Sequence, residues 1–222
     1  MILAARKVSK SYQQGQKSIA VLSDLNLEVN PGEIISILGK SGSGKSTLLS
    51  TLCGLEPVDS GQVIIGERDL HSLPESEKTK FRSEHIGVIF QHYHLVPHLT
   101  ALENIILPIE IKGGFSGHDL EVAKSILKEV GLEHRANHKP SELSGGEKQR
   151  VAIARAIVTK PTILLADEPS GSLDNETGQH IMEMLFSVVK KHQLAMILVT
   201  HDETLARRTD RKLVLDRGQL GA

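Results

Sequence analysis

The fold is decided by the stretch Gly39-Lys40-Ser41-Gly42-Ser43-Gly44-Lys45-Ser46-Thr47. An apolar run, Ile34 to Leu38, precedes it, and the segment Leu48 to Leu52 that follows is typical of the start of a helix. A glycine-rich turn between a strand and a helix is the context that the phosphate-binding P-loop pattern, G-x-x-x-x-G-K-[ST], requires. The sequence therefore predicts a P-loop in an α/β fold.

The residue types of this stretch suit the polyphosphate of a nucleotide. Its glycines let the backbone approach phosphates closely, and N–H groups at a helix N-terminus bind anions. We expect Lys45 to reach the β- and γ-phosphates and the Ser46 hydroxyl to ligate Mg²⁺. The flanking strand and helix argue against the alternative, a glycine-rich turn with a surface lysine. All residues from Gly39 to Thr47 are thus predicted to contact a nucleoside triphosphate.

Composition limits the possible partners and compartments. The chain has 222 residues, 39% hydrophobic and 24% charged, which suits one large domain, and its net charge of -1 favours neither nucleic acid nor an acidic membrane. Cys53 is the only cysteine, so no intrachain disulfide is possible and a cytoplasmic location is expected. No apolar run approaches the roughly 20 residues of a membrane span. If the protein works at a membrane, we expect another chain to hold it there.

Two carboxylates follow a buried strand. The apolar run Ile163 to Ala166 leads directly into Asp167 and Glu168. Ligand sites of α/β proteins lie beyond the carboxyl ends of their strands, so both carboxylates are expected beside the P-loop. Asp167 suits the coordination shell of Mg²⁺, and Glu168 suits a general base that aligns the attacking water.

Three further side chains are candidates for the same site. Gln91 follows the apolar run Ile86 to Phe90 and is expected to ligate Mg²⁺ or orient a water, although a plain loop residue is the alternative. His201 follows the run Ala195 to Thr200, where it can hydrogen-bond the γ-phosphate. Tyr12 offers a ring for stacking on adenine, or is a half-exposed strand residue.

A second anion site is predicted at Leu143-Ser144-Gly145-Gly146-Glu147, which opens a long helix. Backbone N–H groups, the Ser144 hydroxyl and the helix dipole are suited to an anion. The segment has no lysine, which indicates an auxiliary site. Ser144 and Glu147 also fit a capping box, and the two interpretations are compatible.

The remaining segments frame these motifs. Residues 1–30 are predicted to form three short strands, and Lys212 to Leu215 the last strand. Residues 92–158 are predicted to be a helical subdomain within a single domain, 1–222, with Pro108 interrupting its first apolar segment and Asp119 capping a helix. The cluster His92, His94 and His98 lacks the cysteine or acidic partners of a structural metal site, so we do not interpret it as one.

Together and in this order, the motifs resemble those of the ATP-binding-cassette (ABC) ATPases over almost the whole chain. The corresponding segments are the Walker A loop Gly39–Thr47, the Q-loop Gln91, the signature Leu143–Glu147, the Walker B run Ile163–Asp167 with Glu168, the D-loop Ser172-Leu173-Asp174 and the switch His201. The resemblance implies ATP hydrolysis with Mg²⁺ and an adenine-stacking role for Tyr12. It also implies a head-to-tail homodimer that encloses two ATP molecules, each between one P-loop and the other chain's signature.

Finer features resemble the lipoprotein-releasing, macrolide-exporting and cell-division branch (the LolD/MacB/FtsE type). They are Ile86-Gly87-Val88-Ile89-Phe90-Gln91, Leu95-Val96-Pro97, Leu99-Thr100-Ala101-Leu102-Glu103-Asn104 and Ala166-Asp167-Glu168-Pro169. Departures are Ser170, Ser172 and Lys148, where Thr, Asn and Gln are common. The resemblance implies an ATP-hydrolysing subunit that powers an integral membrane permease from the inner face of the cell membrane.

One alternative is a regulatory or mechanical module that signals without transport. A DNA-repair or translation ATPase fits less well, because the chain has no long coiled coil or basic patch.

The permease is expected to dock near Gln91 and residues 93–102. Exposed-looking apolar side chains follow Gln91 there: Tyr93, Leu95, Val96, Leu99 and Leu102. Contiguous exposed apolar patches commonly mark partner sites. The alternative is that these side chains pack onto the core of the helical subdomain itself.

Overall fold

The computed structural model describes residues 1–221 as two β-sheets with helices packed around them. The strands are β1 Leu3–Gln14, β2 Lys17–Val29, β3 Ile34–Leu38, β4 Ser60–Ile65, β5 Arg68–Asp69, β6 Ile86–Ile89, β7 Ile163–Asp167, β8 Ala195–Thr200, β9 Arg211–Asp216 and β10 Gln219–Gly221. The helices are α1 Lys45–Leu52, α2 Glu75–His85, α3 Ala101–Lys112, α4 Gly117–Glu129, α5 Gly145–Ile157, α6 Asn175–Lys191 and α7 Glu203–Ala206. The predicted domain 1–222 includes Ala222, which lies outside the described residues.

The larger sheet brings the predicted site residues to one edge. Its six strands follow the order β10-β9-β3-β8-β7-β6. Strand β3 pairs in parallel with β8 and β9, and β7 pairs in parallel with β8 and β6. Because these strands run in one direction, the P-loop after β3, the carboxylates at the end of β7 and His201 after β8 meet at the same carboxyl edge.

The smaller sheet is four-stranded and antiparallel, in the order β2-β1-β4-β5. It carries the N-terminal segment, while the larger sheet carries the strands of the P-loop and Walker B motif. The predicted fold class, an α/β core sheet with an antiparallel β-region and a helical region, is thereby confirmed.

Alternation along the core strands builds two hydrophobic clusters. In β7, Leu164 and Ala166 join a cluster that includes helices α3 to α6, while Ile163 and Leu165 join one formed with α1 and the smaller sheet. Strand β8 divides its side chains in the same way. Successive side chains of a strand point to opposite faces of the sheet. Because both faces of the central strands are covered, nearly every residue of these strands is apolar.

Several local predictions were wrong. The N-terminal segment forms two long strands, β1 and β2, because β-bulges keep them paired through their irregularities. Pro108 lies inside α3 without ending it. Helix α4 is capped by Ser116, and Asp119 is the acidic residue of its capping box, at the third position of the first turn. A short strand, β10, follows the strand that we predicted to be the last.

Helices α3, α4 and α5 all lie in the range 92–158. The first of them begins with a complete capping box formed by Thr100 and Glu103. The buried amide of Asn104 accepts the N–H of Val96 and donates to the carbonyls of Val96, Leu99 and Thr100. The loop before α3 is therefore tied to the helix, while the limits of a helical subdomain stay a prediction.

Candidate nucleotide-binding and hydrolysis site

A cleft of about 850 Å³ lies at the carboxyl edge of the larger sheet. It brings together most of the predicted site residues: Tyr12, Ser41, Gly42, Gly44, Lys45, Ser46, Thr47, Gln91, Asp167, Glu168 and His201, with Val21 as an additional wall. Gly39, Lys40 and Ser43 belong to the same loop but do not line this cleft. The signature residues Ser144 to Glu147 do not line it either.

The P-loop has the backbone that its glycines predict. Gly42 and Gly44 have φ angles of 79° and 99°, in the left-handed region that glycine adopts without steric cost. At Gly44 a side chain would also meet Val21, since a Cβ there would lie 2.8 Å from a Val21 methyl group. Gly44 is the N-cap of α1, so the free N–H groups of that helix open into the cleft.

Lys45 is nearly buried and is held by its own loop. Its Nζ donates to the carbonyl oxygens of Gly39 at 2.9 Å and Lys40 at 3.1 Å. A Glu168 carboxylate oxygen lies 3.9 Å from the same nitrogen. An ammonium group has three donors, so one remains for an acceptor in the cleft. This arrangement presents a pre-positioned cation to a phosphate.

Oxygen ligands for a hard cation meet beside Lys45. The Asp167 carboxylate is half-buried, and burial raises its pKa above the ordinary value of 3.8, although a side-chain hydrogen bond with Ser46 opposes that shift. The nearby Glu168 carboxylate raises the pKa of Asp167 further, and Lys45 lowers it. Mg²⁺ favours one or two carboxylates, a few other oxygens and substrate phosphates. The donor set of Ser46, Asp167 and the Gln91 amide therefore fits Mg²⁺.

Residues 1–221 contain no group of three or more His, Cys, Asp or Glu side chains arranged to hold a metal ion. The histidines at 92, 94 and 98 thus form no such group within the described chain.

Glu168 has an unusual backbone and two charged or polar neighbours. Its φ is 44°, a left-handed conformation that costs a non-glycine residue free energy and tends to occur at functional sites. Its N–H donates to the carbonyl of Val199 in the next strand at 2.9 Å. Its Oε2 lies 2.7 Å from Nδ1 of His201, whose side chain is 70% exposed. The sheet thus fixes the backbone of Glu168, and the imidazole of His201 orients its carboxylate.

Tyr12 lies on β1 at the mouth of the cleft and is 39% exposed. The buried Lys10 places its Nζ 5.3 Å from the centre of the tyrosine ring. Asp59 and Glu56 balance the charge of Lys10 at 3.7 and 3.9 Å. One face of the ring thus has a fixed neighbour within cation–π distance.

The signature segment folds as predicted at the start of α5. The Ser144 hydroxyl accepts the N–H of Glu147 at 3.2 Å, and the Glu147 carboxylate accepts the N–H of Ser144 at 2.8 Å. This capping box is confirmed. The Ser144 hydroxyl proton is left free and Ser144 is exposed, whereas Gly145 and Glu147 are half-buried and Gly146 is buried.

Close packing requires both signature glycines. A Cβ at Gly145 would lie 3.0 Å from Leu173 and 3.1 Å from the Tyr93 hydroxyl. A Cβ at Gly146 would lie 2.7 Å from a methyl group of Thr177.

The apolar loop after Gln91 is less exposed than we expected. Tyr93, Leu95, Val96, Leu99 and Leu102 are all half-buried. Leu95 and Leu102 pack against the hydrophobic cluster of the helical region, which is the alternative that the sequence left open.

Two contacts of this loop were not predicted. The guanidinium of Arg155 donates to the carbonyls of His94 at 2.5 Å and Tyr93 at 2.8 Å. The Ser172 hydroxyl donates to the carbonyl of Gln91 at 2.9 Å. An arginine inside the apolar run Ala152 to Ile157 was the available signal for the first contact. Nothing in the sequence pattern pointed to the second.

Comparison with known proteins agrees with this geometry. The family model described as "ABC transporter" matches residues 22–171, more than half of the chain. The chain belongs to the ABC transporter family.

A lipoprotein-releasing system ATP-binding protein LolD from Colwellia psychrerythraea is 47% identical over 99% of this chain and 85% of its own length. An uncharacterized ABC transporter ATP-binding protein, YbbA of Escherichia coli, is 45% identical over 99% of this chain and 96% of its own. A solved dimeric ATP-binding cassette in a post-hydrolysis state, bound to ADP and Pi, superposes with a TM-score of 0.91 at 41% identity. That superposition covers 100% of this chain and 97% of the other.

These findings confirm the predicted ABC ATPase. The chain has the ABC cassette fold and is an ATP-binding, ATP-hydrolysing subunit of the transporter type. The match to transporter subunits does not favour a module that only signals. Among the described residues, no helix is both long and apolar enough to cross a membrane.

Proposed function

We propose that the cleft binds ATP as the motifs predict and that each side chain has a distinct role in hydrolysis. Tyr12 stacks on the adenine, the loop from Gly39 to Thr47 surrounds the phosphates, and Lys45 contacts the β- and γ-phosphates. The third donor of Lys45 and the open N-terminus of α1 support this assignment.

Glu168 acts as the general base that takes a proton from the attacking water, and His201 orients it and contacts the γ-phosphate. The hydrogen bond of 2.7 Å between them is the observation that carries this assignment. It restricts the carboxylate to one orientation beside the P-loop, where an in-line water has to be aligned.

Ser46, Asp167 and Gln91 would hold Mg²⁺, which neutralises the charge of the phosphates when bound. These side chains contribute oxygen ligands from three separate elements: α1, β7 and the loop after β6. Asp167 loses hydration in its half-buried place, so a cation there compensates a carboxylate that water solvates poorly.

The signature residues Ser144, Gly145, Gly146 and Glu147 contact ATP that is held by a second copy of the chain. Ser144 is exposed at the N-terminus of α5 with its hydroxyl proton free, and none of the four residues lines the cleft of its own chain. The solved cassette of the same fold is dimeric and holds ADP and Pi. A head-to-tail homodimer would therefore complete two sites in the ATP-bound state.

The ATPase powers an integral membrane permease of the lipoprotein-release type and is held by it at the cytoplasmic face of the membrane. The similarity to LolD proteins over nearly the full chain supports this substrate class and partner. The permease would dock beside Gln91 and residues 93–102, since that partly exposed apolar loop follows directly after Gln91, which lines the nucleotide cleft.

The variant Glu168→Gln tests the assignment of the base. Glutamine keeps the shape of the side chain but cannot accept the proton, so turnover should fall by about 10²- to 10⁴-fold. Binding of ATP with Mg²⁺ should persist, and a homodimer should accumulate with ATP on size-exclusion chromatography with light scattering.

Lys45→Ala is the matched comparison, because it removes the phosphate-facing cation and should weaken nucleotide binding itself. Turnover of Glu168→Gln within about twofold of the parent would refute the role of Glu168. A variant that binds ATP but stays monomeric would refute the head-to-tail dimer.

A further inference from the structure

We propose that Gly171 and Ser172 are positioning residues for Gln91, which they place for its contact with the Mg²⁺–nucleotide. This inference rests on the proposed role of Gln91 as a metal ligand and adds the two residues that determine where its amide lies. Neither residue would contact the nucleotide within its own chain, since neither lines the cleft.

Strand β6 does not fix the position of Gln91, because Gln91 lies beyond the end of that strand. It follows β6, which is the edge strand of the larger sheet and pairs only with β7. The pairing ends at Ile89, two positions before the glutamine. The backbone of Gln91 therefore has no ladder hydrogen bonds, and its position depends on contacts from other elements.

Ser172 supplies the contact to the backbone of Gln91. Its hydroxyl donates to the Gln91 carbonyl at 2.9 Å, across 81 positions of sequence. The serine lies in the loop 168–174, which is itself ordered by hydrogen bonds from the N–H of Gly171 to the carbonyl of Glu168 and from the N–H of Leu173 to that of Ser170. Gln91 is thus attached to the loop that begins with the proposed general base.

Gly171 supplies the space for the amide of Gln91. A Cβ at position 171 would lie 2.9 Å from Nε2 and 3.3 Å from Cδ of Gln91. Gly171 does not have a left-handed φ, so its backbone does not demand glycine. The nearest neighbour of such a Cβ is the amide of Gln91, and the carbonyl oxygen of Glu168 would also lie 3.3 Å from it.

The other anchors of this segment act further along the chain. Arg155 binds the carbonyls of Tyr93 and His94, both of which have left-handed φ angles, 59° and 46°. Those contacts fix the segment to α5, whereas Gly171 and Ser172 contact Gln91 itself. The loop 168–174 is therefore the direct determinant of the position of Gln91.

The test uses Ser172→Ala with Ser172→Thr, which restores a hydroxyl, as its conservative partner. The first measurement is binding of a fluorescent non-hydrolysable ATP analogue, titrated once in EDTA and once with Mg²⁺. Loss of one hydrogen bond should reduce the Mg²⁺-dependent gain in affinity by about two- to tenfold. Affinity in EDTA should stay within about twofold of the parent, and threonine should restore the gain.

Kinetics supply the second measurement. The kcat of Ser172→Ala should fall by a similar factor, and the Mg²⁺ concentration for half-maximal activity should rise, while the KM for ATP at saturating Mg²⁺ changes less. Gly171→Ala should give the same pattern, because its methyl group displaces the flexible end of Gln91 by more than it shifts the Glu168 carbonyl oxygen, which lies further away at 3.3 Å. Ser83→Ala removes a hydroxyl that bonds only within its own helix and should behave as the parent.

Either of two results would overturn the proposal. The first is that Ser172→Ala and Gly171→Ala both gain as much affinity from Mg²⁺ as the parent does. The second is that the variants lose as much affinity in EDTA as they lose with Mg²⁺, which would indicate a general structural role. Gln91→Ala separates this failure from that of the proposed function. If Gln91→Ala keeps the parental gain, then Gln91 is not a metal ligand, whatever the loop 168–174 does.

Discussion

At the scale of single residues, the charge on Asp167 destabilises the folded protein when no cation or nucleotide is bound. Burial and the neighbouring Glu168 both raise the pKa of Asp167. A folded-state pKa above the unfolded value means that the charged form destabilises the nucleotide-free fold at neutral pH. The cost disappears as the pH falls through the raised pKa and towards the ordinary value of 3.8.

Asp167→Asn should therefore raise the Tm of the nucleotide-free protein in EDTA at pH 7, because the neutral amide keeps the shape and avoids the desolvation. For a chain of this size, each 1 kcal/mol of stability corresponds to about 2–4 °C. The gain should shrink as the pH is lowered towards 4, and Mg²⁺ with ATP should stabilise the parent more than the variant.

Asp24→Asn is the control for this measurement, since Asp24 is exposed and its side chain lies outside the cleft. It should change the Tm little at any pH. If Asp167→Asn had a lower Tm than the parent at pH 7, the charge on Asp167 would not destabilise the nucleotide-free protein.

At the scale of elements, the residues that cap α5 belong to the signature segment, and they also contribute to the stability of the fold. Glu147 accepts the N–H of Ser144 at 2.8 Å and the Nε of Arg135 at 2.8 Å. These interactions lower the pKa of Glu147, the backbone hydrogen bond from Ser144 contributing most. A depressed pKa means that stabilisation is present above the ordinary value of 4.5 and is lost as the pH falls through the folded-state pKa.

Glu147→Ala should therefore lower the free energy of unfolding by about 1–2 kcal/mol at pH 7, as expected for losing the reciprocal half of the capping box and the charged hydrogen bond with Arg135. The difference from the parent should narrow below pH 4.5. Urea midpoints at unchanged m-value would measure it.

Glu121→Ala provides the comparison for Glu147→Ala. Glu121 pairs only with Lys124 on an exposed face of α4, and such pairs contribute little. An equal loss of stability in the two variants would show that the hydrogen bonds of Glu147 stabilise the protein no more than an exposed ion pair does.

The predicted and observed elements differ where long-range pairing decides the structure. The cap of α5 was predictable because Ser144 and Glu147 are three positions apart and their pattern is local. The bulges that keep β1 paired with β2 and β4 are not local, and the sequence therefore suggested separate short strands. Pro108 was misleading for a related reason: packing of α3 against α4 and α5 outweighs one lost backbone hydrogen bond.

The same distinction holds for the site at the scale of the whole molecule. Residues at strand ends, such as Asp167 and His201, were predictable because parallel strands end at one edge. The contact between Ser172 and Gln91 joins segments 81 positions apart and depends on how two loops meet. No spacing rule describes that meeting.

The membrane partner is the last question at this scale, and the structure changes how its docking should be tested. Leu95 and Leu102 pack against the core of the helical region, so a charge there would disturb folding. Within residues 1–221, Val96 and Leu99 are half-buried but belong to neither hydrophobic cluster. Leu99 is therefore the better probe of a surface that a partner covers.

Leu99→Asp should leave the Tm and basal ATP hydrolysis of the isolated protein close to the parent, because the side chain lies outside both cores. It should prevent assembly with the membrane permease, since a carboxylate would be desolvated in an apolar interface. Ile111→Asp is the matched control: Ile111 is 68% exposed near the other end of α3 and should tolerate the charge in both assays. Co-purification of Leu99→Asp with the permease at parental yield would place the docking surface elsewhere, as would selective loss of assembly in Ile111→Asp.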